Sequence, residues 1–221
     1  MPRRCCPQQG LNTFGPRGQR GGQAGHRRDK NHVQILLPLA RLRVLGFVAA
    51  LAAYPFIVTS IALSPWFNIY NNALSDLGNT VTNGWVGYVY DIGLVFAGTL
   101  VLIFAAVISK ETRDRRNLVW AVPLMAAALD LALVGVFSEN TGHIHGVVSE
   151  IFFLMIVVAM LAYSYVSWPL RAPRTGAVAL TFGILSAFIW FNGWPWSGIA
   201  IQESVTSGMT AIWLLLVASK H

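Results

Sequence analysis

The sequence predicts an all-α, polytopic membrane protein with six transmembrane helices and both termini in the cytoplasm. Hydrophobic residues make up 55% of the 221 residues and charged residues only 11%, whereas a soluble domain carries about a quarter charged residues. Six apolar stretches are long enough to cross a hydrocarbon core of about 30 Å as helices. The basic residues fall in alternate segments between these stretches.

The predicted spans are separated by charged segments or by loops rich in Pro, Asn and Gly. They cover about residues 42–63, 85–108, 118–137, 146–168, 176–191 and 198–218. The sequence NGWPWSG predicts the turn between the fifth and sixth spans. These six stretches predict a helical transmembrane domain over residues 41–221.

The distribution of Lys and Arg predicts the orientation of the helices. Of sixteen such residues, nine lie in the first 43 residues, four in KETRDRR, two at Arg171 and Arg174, and one at Lys220. Because Lys and Arg collect on the cytoplasmic side, we expect the loops without them to lie on the outer side of a cell membrane. These loops are residues 64–84, 138–145 and 192–197. The excess of basic residues that gives the net charge of +7 then orients the helices, and these basic side chains contact anionic lipid headgroups. No nucleic-acid partner is needed to explain it.

Residues 1–40 differ in composition from the rest of the chain. They are basic, rich in Arg, Gly and Gln, and have no apolar periodicity, so they predict a disordered cytoplasmic tail. Both cysteines, Cys5 and Cys6, lie in this tail. We therefore expect no disulfide framework in the transmembrane domain.

Six of the nine carboxyl groups are predicted on the outer side. Two are in outer loops and four are within spans near their outer ends, in order Asp76, Asp91, Asp130, Glu139, Glu150 and Glu203. An Asp at the centre of a span costs about 2.5 to 3.5 kcal/mol, so such groups usually face a bundle interior or a wet cavity. Because no Lys or Arg lies on this side, protonation, mutual hydrogen bonds, cations or histidine must compensate the charge.

Two histidines lie in ENTGHIHG, before the fourth span. On a helix starting by Gly142, His143 and Glu150 lie within about 20° of each other, and His145 shares another face with Ser149. With Asp130 and Glu139, this region has the ingredients of a metal site or an acid/base pair. The candidate ligands of a divalent metal are His143, His145, Glu150 and Asp130. No tight metal-binding spacing occurs, so a metal-free polar network that fixes helix packing is the favoured alternative.

The stretch NNALSDLGN, residues 71–79, is the most polar part of the longest outer loop. Ser75 or Asp76 could cap a helical turn, and Gly78 permits a turn with positive φ. One interpretation is a self-capped turn lying over the bundle. The other makes Asn72 and Asp76 ligands of a headgroup or metal above the helical carboxylates. The candidate polar site then comprises Asn72, Ser75, Asp76, Asp91, Asp130, Glu139, His143, His145, Glu150 and Glu203.

Two motifs carry a resemblance to a known family. The motif NALSDLGN after the first span, with FSENTGHIHG before the fourth, resembles the prokaryotic and archaeal membrane proteins called domain of unknown function 998. The likeness runs from about residue 40 onward and implies a multi-spanning fold without an assigned activity. More remotely, SDLG is similar to the S-D-T-G loop of the Frag/DRAM/Sfk group of six-helix proteins, some linked to lipid-anchor remodelling or lipid organisation. Leu77 stands where that group has Thr.

Three functions are compatible with these features. The first is a protein that binds or organises a lipid headgroup, cation or partner in the outer leaflet, with membrane lipids as the expected partners. The second is a membrane-embedded hydrolase or transferase acting on lipid, with or without a metal, with His143 or His145 as base or ligand. The third is a proton-coupled transporter. It is disfavoured because the inner halves of the spans contain no ionisable residue.

Overall fold

The computed structural model describes residues 40–111, 115–168 and 172–220. Within these ranges the chain is helical, contains no strand, and has six helices long and apolar enough to cross a membrane. They are α1 (Ala40–Leu63), α2 (Trp85–Glu111), α3 (Leu118–Val136), α4 (His143–Ser167), α5 (Pro173–Phe191) and α6 (Ala200–Ala218). The predicted all-α, six-span architecture is confirmed. The predicted disordered tail lies outside the described residues, and the cytoplasmic placement of the termini stays a prediction.

Two helices depart from their predicted outlines for local reasons. A turn at residues 52–53 interrupts α1, and its second part, Tyr54–Leu63, has a Pro in its first turn, where the missing N–H costs no hydrogen bond. Helix α4 begins at His143, three residues before the predicted start. Gly142 precedes it with φ 58°, a conformation that favours glycine. Both histidines therefore lie on the helix.

Glycines allow close approach between neighbouring antiparallel helices. A side chain at Gly98 of α2 would overlap the backbone of α3 at Ala128 and Ala132. At Gly135 of α3 it would overlap the backbone of Asp91 in α2. Such small residues drive packing in membranes, where apolar side chains gain nothing by leaving lipid. The close α2–α3 pair fixes Asp91 against the chain that leads to Glu139.

The bundle has two ends of different composition. We call the polar end the one formed by residues 64–84, 137–142 and 192–199, and the basic end the one with Lys110, Arg115, Arg116, Arg174 and Lys220. Near the basic end, three buried rings meet edge to face with centroids 5.2 to 6.1 Å apart, namely Trp120, Tyr163 and Trp213. A smaller apolar cluster near the polar end includes Leu74 and Leu77. Part of the 64–84 loop is therefore core.

Candidate functional site

Residues 71–79 form a turn in which side chains accept hydrogen bonds from backbone N–H groups of the same segment. The segment Leu74–Gly78 is a 3₁₀ turn. The Asp76 Oδ2 atom accepts hydrogen bonds from Ala73 N and Asn72 Nδ2, both at 3.0 Å. Asn79 begins the next short helix, Thr80–Asn83, by accepting from two backbone N–H groups. The self-capped turn accounts for the contacts of Asp76, whereas a ligand role for Asn72 or Asp76 stays a prediction.

Position 78 needs glycine because neighbouring atoms leave no space for a side chain, and not because of a positive φ. Among the described residues, the glycines with positive φ are Gly84 and Gly142, so the expectation of positive φ at Gly78 is wrong. A side chain at Gly78 would instead overlap the Asp91 carboxyl group and approach the ring of Tyr90. The turn therefore seats its glycine directly on a buried carboxyl group of α2.

The same turn is joined to the start of α6 in both directions. The N–H groups at the start of α6 donate to carbonyl oxygens of the 64–84 loop. The N–H group of Gly198 donates to Tyr70 at 2.8 Å. Those of Ile199 and Ala200 donate to Asn72 at 3.1 and 3.0 Å. In return, Leu74 N donates to Glu203 Oε2. Helix N-termini need such acceptors for their unpaired N–H groups. The loop therefore caps α6, and α6 holds the loop through a carboxyl group that is only 6% exposed.

A histidine and a glutamate connect α4 to the preceding loop. The His145 Nδ1 atom lies 2.7 Å from the Phe137 carbonyl oxygen, and Nε2 lies 2.9 Å from Glu139 Oε2. Because a carbonyl oxygen only accepts, Nδ1 carries a proton. The Ser149 hydroxyl lies 3.3 Å from Nε2. The imidazole is 6% exposed and the Glu139 side chain 30%, so this pair lies at the edge of the buried region.

Glu139 also joins this loop to the 71–79 turn. The hydrogen bond with His145 lowers the pKa of Glu139 below its ordinary value, against the opposing effect of burial, and a hydrogen bond with Ser75 lowers it further. Nearby, Asn140 accepts from Thr80 N at 2.9 Å and donates to the Thr80 hydroxyl at 2.7 Å. The 64–84 and 137–142 loops of the polar end thus form one hydrogen-bonded layer.

The structure brings part of the predicted site together. Four carboxyl groups, those of Asp76, Asp91, Glu139 and Glu203, lie near enough to Tyr90 to interact with its phenol electrostatically. Ser75 and His145 both bond to Glu139 within this group, and Asn72 bonds to Asp76.

His143 and Asp130 lie apart from this group. His143 is exposed on α4, and Asp130 is half-buried in α3 without a hydrogen bond among the described residues. Glu150 is also exposed on α4 but lines the cavity described below. Within the described ranges, no three His, Cys, Asp or Glu side chains are placed to hold a metal ion. The structure therefore does not assemble the candidate metal ligands into one set.

A cavity of about 810 Å³ lies at the polar end beside α4 and α5, where its lining residues Leu154 and Phe191 are exposed on the side of the bundle, and we call it the lateral groove. Its polar lining consists of Ser75, Glu139, His145, Ser149, Glu150 and Glu203. Its apolar lining includes Phe153, Leu154, Val157, Ala187 and Phe191, from α4 and α5. Binding pockets for small molecules typically measure about 300 to 1,000 Å³. The groove thus has the size and the mixed lining of a ligand site.

A second cavity, of about 110 Å³, lies inside the bundle, and we call it the interior cavity. It is lined mainly by apolar residues from α1, α2, α3, α4 and α6. Four residues line both cavities, namely Ser75, Ser149, Phe153 and Glu203. They form the wall between the lateral groove and the bundle interior.

Two residues of this site were not among the predicted candidates. Tyr90 is buried among the carboxyl groups, and its sequence signal was its position beside Asp91. Ser149 faces His145, and its signal was the four-residue spacing between them on a helix. Both signals are weak, because many aromatic and hydroxyl residues occur at such positions in membrane helices.

The chain belongs to the family described as protein of unknown function (DUF998), whose family model matches residues 47–220. This confirms the resemblance seen in NALSDLGN and FSENTGHIHG. The match includes all three loops of the polar end and α2 to α6. A search of curated proteins and of solved structures gives no match.

Proposed function

We propose that this DUF998 protein binds a membrane amphiphile in the lateral groove, with an amine-bearing headgroup at the carboxyl groups and the hydrocarbon along α4 and α5. One observation supports this most strongly. A row of carboxyl groups and an apolar surface meet in a single groove that opens on the side of a membrane-spanning bundle. A ligand that lies in the bilayer could enter such a groove without leaving the lipid.

The charges of the groove favour a cationic headgroup. Glu139, Glu150 and Glu203 line it, and none of its described lining residues is Lys or Arg. An ammonium group is attracted by these carboxylates, whereas an anionic headgroup is repelled. Burying a carboxylate without a cation is costly. Glu203 is the most buried of the three, so its ionised form depends most on the presence of a bound ammonium.

The apolar part of the groove sets the position of the chain rather than the strength of binding. Phe153, Leu154 and Val157 follow one another along α4, and Ala187 leaves space beside them on α5. Hydrocarbon gains little by moving from lipid to protein, because both surroundings are apolar. Selectivity between lipids should consequently come from the headgroup.

The proposal predicts that a long-chain alkylammonium binds the purified protein more tightly than an alkyl sulfate of the same chain length. Glu203→Gln keeps an oxygen to accept from Leu74 N but cannot ionise in response to a bound ammonium. We expect it to weaken alkylammonium binding about tenfold, or about 1.4 kcal/mol, with alkyl sulfate binding unchanged. Trp190 lines the groove, so tryptophan fluorescence during titration in neutral detergent provides the measurement.

Asp130→Asn is the matched control. It removes a carboxyl group from α3 that does not line the groove, and it should leave alkylammonium affinity at the parent value. Equal affinity for the two amphiphiles would contradict the proposal. An equal loss in Glu203→Gln and Asp130→Asn would show that only the overall charge of the protein matters.

A further inference from the structure

Aromatic side chains form part of the wall of the lateral groove. Phe153 of α4 and Trp190 of α5 both line it, and their ring centroids lie 4.5 Å apart with the ring planes inclined by 40°. Phe191 lines it as well and is exposed. The groove therefore combines aromatic rings with carboxyl groups, and both attract a cation.

The paired rings lie about one helical turn from the carboxyl groups. Trp190 Nε1 donates to the Thr206 hydroxyl at 3.1 Å, and Thr206 follows Glu203 by three residues on α6. Phe153 follows Glu150 by three residues on α4. Residues three apart on a helix are neighbours, separated by about 4.5 Å along the axis. A cation beside Glu203 and Glu150 can therefore lie within about 6 Å of a ring centroid, the distance over which cation–π attraction acts.

Two of the three carboxyl groups in the groove already have hydrogen-bond partners in the protein. Glu139 bonds to His145 and Ser75. Glu203 accepts from Leu74 N. A primary ammonium is strongly hydrated and has three N–H donors, so on binding it needs several acceptors that replace its water. A nitrogen with four carbon substituents has no N–H group to satisfy, and aromatic faces together with negative charge are enough to bind it.

We propose that the headgroup bound in the lateral groove is a quaternary ammonium, held by the carboxyl groups of Glu150 and Glu203 and by the rings of Phe153 and Trp190. This inference rests on the proposed function, because it specifies the headgroup of the amphiphile that binds there. Two kinds of amphiphile carry such a group. In one the trimethylammonium is the only charge, and in the other it follows a phosphate, as in a phosphocholine lipid.

The test compares dodecyltrimethylammonium with dodecylammonium by isothermal titration calorimetry of the detergent-purified full chain. We expect the trimethylammonium form to bind about tenfold more tightly, a factor within the range of cation–π attraction at partly buried sites. Dodecylphosphocholine is the third ligand. An affinity equal to that of dodecyltrimethylammonium would support the proposal with a phosphocholine lipid as the source, and a lower affinity would support it with a purely cationic amphiphile.

Two variants of Trp190 show whether its ring causes this preference. Trp190→Leu and Trp190→Phe both lose the hydrogen bond to Thr206, but only Trp190→Phe keeps an aromatic face. We expect Trp190→Leu to weaken dodecyltrimethylammonium binding about tenfold and dodecylammonium binding much less, because the leucine is apolar but has no π face. Trp190→Phe should restore most of the lost affinity. Size-exclusion profiles show whether each variant is folded.

Trp194→Leu is the matched control. Trp194 lies in the connection between α5 and α6, is half-buried like Trp190, and donates from Nε1 to the Ile189 carbonyl oxygen at 2.8 Å. It is not among the described residues that line the groove, so its replacement should leave the ratio of the two affinities at the parent value. An equal fall of this ratio in Trp194→Leu and Trp190→Leu would overturn the role of the groove rings.

The outcomes separate this inference from the proposed function. Equal affinities for the two dodecyl cations, both above that of an alkyl sulfate of this length, would overturn the quaternary headgroup alone. No preference for either cation over the sulfate would overturn both proposals. A trimethylammonium preference that survives in folded Trp190→Leu would overturn the cation–π contact at this residue. If Trp190→Leu does not fold, Phe153→Leu gives the same comparison, because it removes the other ring without breaking a hydrogen bond.

Discussion

Polar side chains at the polar end have partners at two different distances along the chain. Asn72, Asp76 and Asn79 bond within four residues and satisfy the backbone of their own turns. Glu203 instead bonds to Leu74, 129 residues away, and Glu139 bonds to Ser75 in another loop. The first group shapes the loop. The second group fixes the loop against the helices, so its loss should affect the geometry of the lateral groove.

Glu139 should make the stability of the protein depend on pH. Its folded pKa lies below its ordinary value of 4.5, so the folded state favours the ionised form. Its contribution to the free energy of unfolding is complete above the ordinary pKa and is lost as the pH falls through the lower, folded pKa. We expect Glu139→Gln to lower the thermal midpoint at neutral pH, and the difference from the parent to shrink on acidification. Thermal unfolding in detergent, followed by tryptophan fluorescence, measures both.

Ser75 provides a comparison for this pH dependence of stability. Ser75→Ala removes one of the hydrogen bonds that lower the pKa of Glu139 but keeps the bond with His145. It should therefore give a smaller pH-dependent difference than Glu139→Gln. A constant difference between parent and Glu139→Gln at every pH would mean that Glu139 acts only through packing.

At the residue scale, the sequence predicted contacts that follow helix periodicity and missed those that depend on the backbone. His145 and Ser149 were predicted to share a face, and they do. The partner of Glu203 is the backbone N–H of Leu74, and every non-proline residue has such a group. Composition and spacing therefore could not identify it. The exposure of His143 and Glu150 could not be predicted either, because helix periodicity shows that two residues share a face but not which way that face points.

At the scale of elements, the connection between α5 and α6 depends on one close backbone contact. Gly198 lies against the backbone of Asn71 and Asn72, where a side chain would overlap main-chain atoms that cannot turn away. This contact allows the loop carbonyls to accept from the first N–H groups of α6. The glycine is therefore needed for the proximity of the loop and the helix.

Gly198→Ala should destabilise the fold, because its added methyl group pushes the 71–79 turn away from α6. Overpacking of this kind typically costs about 1 to 3 kcal/mol, and we expect a lower thermal midpoint together with weaker alkylammonium binding. Gly193→Ala is a control in the same connection, since a side chain there meets nothing within 4 Å. Equal midpoints for the two variants would show that the loop and α6 adjust without cost.

The helices themselves were largely predictable, because an apolar stretch of the required length has few alternatives in a bilayer. Their ends were less so. Helix α4 starts three residues before the predicted start because Gly142 adopts a positive φ. The sequence NTGHIHG allows this backbone conformation but does not require it. The layer formed by the two outer loops was not predictable, because the Asn140–Thr80 pair joins side chains 60 residues apart.

At the scale of the whole molecule, the two ends of the bundle differ in charge. Carboxyl groups gather at the polar end, and the described Lys and Arg residues lie at the basic end. Because basic residues are retained in the cytoplasm, we predict that the polar end and the mouth of the lateral groove face the outside of the cell. The amphiphile would then enter from the outer leaflet.

Single cysteines test this orientation in a background with Cys5→Ser and Cys6→Ser. Val81→Cys reports on the polar end, because Val81 is 86% exposed in the 64–84 loop. Ser219→Cys is the matched site at the basic end, where the residue is also exposed. A membrane-impermeant maleimide should label Val81→Cys in intact cells and Ser219→Cys only after permeabilisation.

The reverse pattern would place the groove on the cytoplasmic side, although the fold would be the same. The carboxyl groups would then face the leaflet in which anionic lipids produce a negative surface potential. That potential attracts cations to the surface and would increase the local concentration of an amine-bearing ligand. The headgroup preference could therefore survive this result, but the leaflet and the pool of lipids would change. Labelling in cells thus decides which lipids reach the groove, and binding in detergent decides whether they are held.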